Sequence, residues 1–416
     1  MRRRLLGAGA ATTAVAGAMA LWRWWPFAGL VHPCGEPALP AELAAHPVVR
    51  AASADIDPAT LWDCHVHLLG LGGDAATTDS TWINPVMQSP LRPIQHAQYR
   101  FYLNAGCVDP DGPQPDAAFV ARMLALQRAF AGGRAKLMLM AFALRHDDAG
   151  RPQPEHSAFQ TSNAYAASVA RAHPEAFEWI ASIHPYRPDA VDALQRAAAH
   201  GARAVKWLSP VMNIDPSSAK CEPFYRALAA LDLPLIAHGG AETAVSLAPN
   251  QELGNPLRLR RALDAGVRVF VAHCASLGQS IDLDRGENAQ PADNFALFTR
   301  LMDEARWRGR LLGELSAVTI FTRPRNVMTT LIERGDWHER LCNGSDYPLP
   351  AVVPIISTRR FVDWGMLDAD AAAALDRLRL INPLLFDLAL KRALHVDGRR
   401  LPAQVFDTRR HFVKPA

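Results

Sequence analysis

The sequence predicts a (β/α)₈ barrel, and three features point there. Eight short apolar runs alternate with amphipathic stretches, the pattern of repeated βα units. Polar side chains suited to metal binding end five of those runs, and in a parallel barrel all such ends converge on one face. The 416 residues exceed the about 250 that this fold needs, which leaves room for a leader and a long loop. No Gly-x-Gly-x-x-Gly follows the first run, so a dinucleotide-binding doubly wound sheet is disfavoured.

Residues 1–27 differ in kind from the rest. Arg2-Arg3-Arg4 and Leu5-Leu6 precede a Gly/Ala/Thr/Val run to Leu21, and Ala18-Met19-Ala20 offers a small-residue cleavage site. This is similar to a bacterial twin-arginine export signal and sets an expectation of a periplasmic protein. The competing reading is an uncleaved inner-membrane anchor, with Trp22, Trp24 and Trp25 at the interface. Residues 28–59, rich in Pro and Ala, read as a linker. The barrel should span 60–395, with 396–416 a C-terminal tail.

The expected strands are Leu61–Leu68, Lys136–Leu144, Phe177–His184, Ala202–Leu208, Pro234–His238, Val267–Cys274, Leu311–Leu315 and Leu341–Asp346. Between them, 3.6-residue periodicity predicts helices over Asp116–Ala131, Asn163–Ala172, Ala190–His200, Glu222–Ala230, Asn255–Ala265, Asp293–Arg308 and Arg325–Arg334. Two more, Asp370–Leu378 and Pro383–Leu394, follow the last strand. From Leu69 to about Asp116 no long periodic element is legible. A connection beyond about 15 residues is uncommon unless functional, so this one is a candidate lid.

Composition narrows the partners. Apolar residues make up 49 % and charged residues 20 %, with a formal charge of +3. There is no long basic run or aromatic-basic ladder, so nucleic acid is not a favoured partner. Six cysteines without a CxxC pair argue against a structural zinc site or disulfide framework. An oxidising compartment would permit a Cys34–Cys107 bridge.

The chemistry starts at Asp63-Cys64-His65-Val66-His67. Strand side chains alternate, so His65 and His67 should share one face, with Cys64 and Val66 on the other. Two imidazoles side by side at a strand's end can chelate one ion. Later runs end in Lys206, His238, His273 and Asp346. Burying such groups singly costs several kcal/mol unless they are paired or metal-bound. Their joint occurrence therefore points to one shared site. Arg145 after strand 2, and His184, Tyr186 and Arg187 after strand 3, are weaker candidates for binding substrate, Arg because its fork suits a carboxylate. Glu314, in Gly313-Glu314-Leu315-Ser316, is a candidate buried partner for the site.

This ordered set resembles the amidohydrolase superfamily, and its wording is similar to the amidohydrolase-related family that also contains aromatic-acid decarboxylases. The supporting phrases include Ile183-His184-Pro185-Tyr186, Ala272-His273-Cys274 and Gly344-Ser345-Asp346-Tyr347-Pro348, and the likeness spans about 60–395. It implies one metal ion on His65, His67 and Asp346, and a second on His238 and His273, with Lys206 as a bridging carbamate. The ions would be divalent, Zn above all, with Mn or Fe as alternatives. Asp346 would be the general base and then protonate the leaving group. In single-metal relatives the ion sits on the strand-1 pair, the strand-5 histidine and the aspartate. His273 is then a catalytic group, and Lys206 a carboxylate anchor or ion-pair partner.

Three functions follow. The first is a metal-dependent hydrolase that directs activated water at an amide, lactone or ester bond of a small molecule. The second is a metal-dependent decarboxylase of an aromatic or unsaturated acid. The third is a non-catalytic metal- or ligand-binding barrel, which the complete ligand set disfavours. The oligomeric state is not legible.

Overall fold

The computed structural model describes residues 31–72, 81–245 and 249–413. The export signal or anchor expected over 1–27 lies outside them. All eight expected strands form: β1 (Trp62–His67), β2 (Lys136–Met140), β3 (Phe177–Ile180), β4 (Val205–Trp207), β5 (Leu235–His238), β6 (Val269–Ala272), β7 (Leu311–Glu314) and β8 (Leu341–Cys342). Each is shorter than its apolar run, because the last residues of several runs turn away from the ladder to build the site. β1, β2 and β3 pair in parallel, as do β4 through β8 in order. Parallel bridges Ala181↔Val205 and Val66↔Tyr347 join the two sheets at both seams. The strand order is that of a (β/α)₈ barrel.

Side chains alternate about this ring. Outward residues such as Val205, Ala237, Val269 and Leu311 enter the large core beneath the helices. Inward ones, including Met138, Ile180, Ala204, Ile236, Phe270, Leu312 and Cys342, form a separate inner cluster, as expected of a packed barrel interior. Cys64 breaks the alternation read from the sequence. The β1–β2 register shifts between Asp63 and Val66, so Cys64 joins the inner cluster and its Sγ lies 3.8 Å from Cys342 Sγ. Val66 faces the outer core. A bulge of this kind re-aims side chains at a strand's end, and both His65 and His67 consequently reach the same cavity.

The termini are more ordered than linker and tail suggest. Ala41–Ala45 and Pro47–Ala52 are short helices that bury Leu43, Val48, Val49 and Ala52; the second packs on the helix Pro383–Ala393, and the first on the second. Upstream, Cys34 is disulfide-bonded to Cys107. Asn104 holds the same segment, accepting from His32 N at 2.8 Å and donating to His32 O at 3.1 Å. At the other end, Phe412 closes the barrel floor by stacking on Phe270 with ring centroids 5.0 Å apart.

The first βα connection contains more structure than its sequence reveals. Trp82–Ile83 pairs antiparallel with Phe159–Gln160, and Pro93–Ala105 is a 13-residue helix. That helix was not legible because only Leu103 and Ala105 of it are buried, so it lacks the wide apolar stripe that marks a core-facing helix.

Candidate active site

The inward positions at the strand ends place Lys206, His238 and Glu314 in the mouth of the barrel by simple alternation. His273 and Asp346 arrive differently. Both lie just past their strands with left-handed backbone, φ +58° and +63°, a conformation uncommon outside glycine that gathers at functional sites. Gly344 makes the last approach possible. A Cβ there would lie 2.3 Å from Glu314 Oε1 and 2.6 Å from His65 Cβ. Asp63 ties the two chain ends of the ring together, accepting from Ser345 N at 2.8 Å and from His65 N at 3.1 Å.

The side chains converge as follows. Asp346 Oδ1 lies 3.0 Å from His67 Nε2 and 3.4 Å from His65 Nε2, and Oδ2 lies 3.9 Å from His273 Nδ1. Lys206 Nζ is 3.2 Å from His65 Nε2. Ring centroids of His65 and His273 are 5.1 Å apart, and those of His238 and His273 5.0 Å. Burial alone would raise the Asp346 carboxyl. The neighbouring imidazole of His65, the hydrogen bond from His67 and the imidazole of His273 outweigh it and hold the group well below the carboxylate range. Burial drives Lys206 below the usual lysine value and His238 down to about 3.

A further layer orients these groups, and the sequence marked only part of it. Glu314 Oε2 lies 3.0 Å from His65 Nδ1 and accepts from the Ser316 hydroxyl at 2.6 Å. An ionised carboxylate only accepts, so the proton of His65 sits on Nδ1 and Nε2 is left bare toward the cavity. Ser316 does the same for His273, whose Nδ1 lies 2.8 Å from Ser316 Oγ. Spacing of two along β7 could have flagged Ser316, since it shares a face with Glu314. Glu242, buried and missed by the sequence reading, lies 3.5 Å from His238 Nδ1 and accepts from Val245 N at 2.8 Å.

The four weaker substrate candidates are directed elsewhere. Arg187 is paired with Asp189 at 2.8 Å, and Arg145 Nε donates to Gln153 Oε1 at 3.1 Å. His184 Nε2 lies 2.9 Å from Met212 O, with its ring packed 4.5 Å from that of His146. The Tyr186 hydroxyl lies against Asp215, accepting from its backbone N–H at 3.1 Å. None of the four lines either cavity that reaches Asp346. Partners in the loops after β2, β3 and β4 satisfy these polar groups and turn them aside.

Two cavities meet over the cluster. One is walled by apolar side chains, among them Ile83, Met87, Tyr99, Leu103, Phe159 and Val245. The other runs past Glu242 toward Thr322 and Arg323. Tyr102, His238, His273 and Asp346 border both.

The donor set fits a divalent ion. One donor atom each from His65, His273 and Asp346 lies within 4.8 Å of the others. Both ring nitrogens of His238 are buried without a hydrogen-bond partner, a cost that a ligand would remove. Imidazole and carboxylate donors suit zinc, manganese and iron alike. The three clustered donors draw on both ion sets that the family resemblance implies.

The family described as Amidohydrolase matches residues 62–377, well over half of the chain, and the protein belongs to it. No curated protein sequence matches significantly. Among solved structures, an uncharacterised TIM-barrel protein from Bordetella bronchiseptica is 16 % identical with a TM-score of 0.43, covering 79 % of this chain and 99 % of its own. The 5-carboxyvanillate decarboxylase of Sphingomonas paucimobilis is 14 % identical with a TM-score of 0.43, covering 78 % and 96 %. That of Novosphingobium aromaticivorans, whose structure contains manganese, is 13 % identical with a TM-score of 0.41, covering 77 % and 92 %. At these values the likeness carries nothing about the reaction.

Proposed function

We propose that this protein is a metal-dependent hydrolase of small molecules, cleaving an amide, lactone or ester bond. The observation that carries the reading is Asp346: a buried carboxylate among His65, His67 and His273, on the wall of an apolar cavity. His65, His67, His238, His273 and Asp346 would hold the metal, which when bound would supply Lewis acidity to activate water at neutral pH. Asp346 takes the proton of the attacking water and returns it to the leaving group. Glu314 and Ser316 keep His65 and His273 in the tautomers that present Nε2. The apolar wall excludes bulk water from the reacting bond.

Lys206 faces the same donors, where its ammonium would oppose a divalent ion. Burial shifts it toward the neutral amine that reacts with CO₂, and the resulting carbamate would be an anionic ligand for a second ion. Metal analysis of the native protein and of Lys206→Ala tests this. The expected result is two equivalents per chain falling to one, and unchanged stoichiometry removes the carbamate.

The second reading, decarboxylation of an aromatic or unsaturated acid, is favoured by the aromatic side chains of Tyr99, Tyr102 and Phe159 in the cavity wall. A panel of lactones, N-acyl amino acids and aryl carboxylates separates the two. Release of an acid together with an alcohol or amine supports hydrolysis; release of CO₂ supports decarboxylation.

Export to the periplasm belongs to the same proposal. The Cys34–Cys107 bond supports it, because disulfides persist in oxidising compartments. Among the described residues no helix is long and apolar enough to cross a membrane. The anchor reading rests on residues 1–27, which lie outside the described residues, and fractionation of the expressed full chain tests it.

A further inference from the structure

Arg323 follows β7 in a loop and is 8 % exposed. Two hydroxyls hold it: Nε donates to Ser276 Oγ at 3.2 Å and Nη1 to Thr322 Oγ1 at 2.6 Å. The carboxylates whose charge it feels, Asp346 and Glu242, do not form an ion pair with it, and no other described carboxylate does. Glu242 is committed elsewhere, accepting from the backbone N–H groups of Ala244 and Val245. Among the other buried arginines, Arg379 pairs with Asp376 at 3.3 Å, and Arg360 donates to the carbonyls of Thr319 and Ile320; neither borders the cavities over Asp346. A buried cation held only by neutral hydroxyls is costly. That cost is explicable where a ligand supplies the counter-charge, and Arg323 lines the second cavity together with His238, His273 and Asp346.

We propose that Arg323 anchors a carboxylate on the substrate, one that is not the reacting group, so that the substrate is an acid with an apolar body. The inference rests on the reading of the Asp346 cluster as the reacting centre. The apolar arm occupies the cavity of Ile83, Met87 and Phe159, the reacting bond lies over Asp346, and the carboxylate meets the guanidinium fork beyond it. Arg is the side chain whose planar donors match a carboxylate in two places at once.

Calorimetric binding of 4-phenylbutyrate and its neutral isostere 4-phenylbutanamide tests this, on the protein as purified and after chelation. The wild type should bind the acid at least tenfold more tightly than the amide. Arg323→Gln should bring the acid to the amide's level while amide binding, the control for an intact cavity, stays unchanged. Arg323→Lys should keep part of the preference. Equal binding of acid and amide by the wild type overturns the assignment, as does a preference that survives Arg323→Gln. A preference lost on chelation but kept in Arg323→Gln places the carboxylate on the ion: Arg323 is then excluded and the metal enzyme stands. A preference that survives chelation and falls with Arg323→Gln upholds Arg323 even if the metal reading fails.

Discussion

Asp346 and His273 reach the site through left-handed backbone, and neither has the freedom of glycine to do so cheaply. Such conformations cost of order 1–3 kcal/mol each and persist where the surroundings over-determine them. Here the surroundings are Asp63, Gly344, Glu314 and Ser316, which act on the positions of the donors and not on the chemistry directly. Replacing the donor itself should be decisive: Asp346→Asn should lower kcat by about 10³-fold or more while the melting temperature stays near wild type. Steady-state kinetics beside calorimetry checks this, and surviving activity would count against both enzymatic readings. Replacing an orienting group should act more mildly. Glu314→Gln releases the His65 tautomer and should weaken metal affinity by about 10–100-fold, read by competition with a chelator. The residue scale also shows where the sequence stops being legible. Lys206, His238 and Glu314 obey the period of two, whereas Cys64 follows a bulge and His273 a left-handed turn that no alternation rule anticipates. Arg323 looked like any loop arginine, because its burial depends on Ser276 from a different βα loop.

Strands were legible for a physical reason: each is covered on both faces, so each reads as a continuous apolar run. Their lengths were overestimated throughout, as at β3 and β6, where the run continues into the loop that carries His184 or His273. The helix Pro93–Ala105 was hidden by the opposite circumstance, a mostly half-exposed surface with no stripe. Its position matters, because Tyr99, Tyr102 and Leu103 wall the cavity while its C-terminal neighbour Cys107 is bonded to Cys34. The bond joins residues 73 apart, a closure worth about 4 kcal/mol in the chain-entropy model. Reductant should therefore lower the denaturation midpoint of the wild type and leave that of Cys107→Ser unchanged. A midpoint insensitive to reductant in both would mean that the bond contributes nothing to stability.

Across the whole molecule, the ring is completed by its two ends. β1 meets the segment after β8 at Tyr347, and the floor is shut by Phe412 against Phe270. Phe412→Ala should cost about 3–5 kcal/mol, measurable as a shift in urea midpoint. The same segment brings a pH dependence. Burial, with Arg410 and Arg268 nearby, pushes His411 down to about 3. The unfolded chain, titrating near the ordinary 6.5, therefore takes up the proton first. This contribution to stability is complete above about pH 6.5 and is lost as the pH falls toward 3. Melting temperature should drop on acidification over that range, less steeply in His411→Gln. An equal slope in the variant would assign the acid sensitivity to other groups.

The stacked pair at the barrel floor also has a consequence for biosynthesis. Phe270 is made long before Phe412, and β1 long before the strand it must join. The ring waits for Leu341–Cys342 and the segment after it, and its floor stays open until Phe412 has also emerged. A nascent or prematurely terminated chain therefore presents an open inner face with Phe270 uncovered.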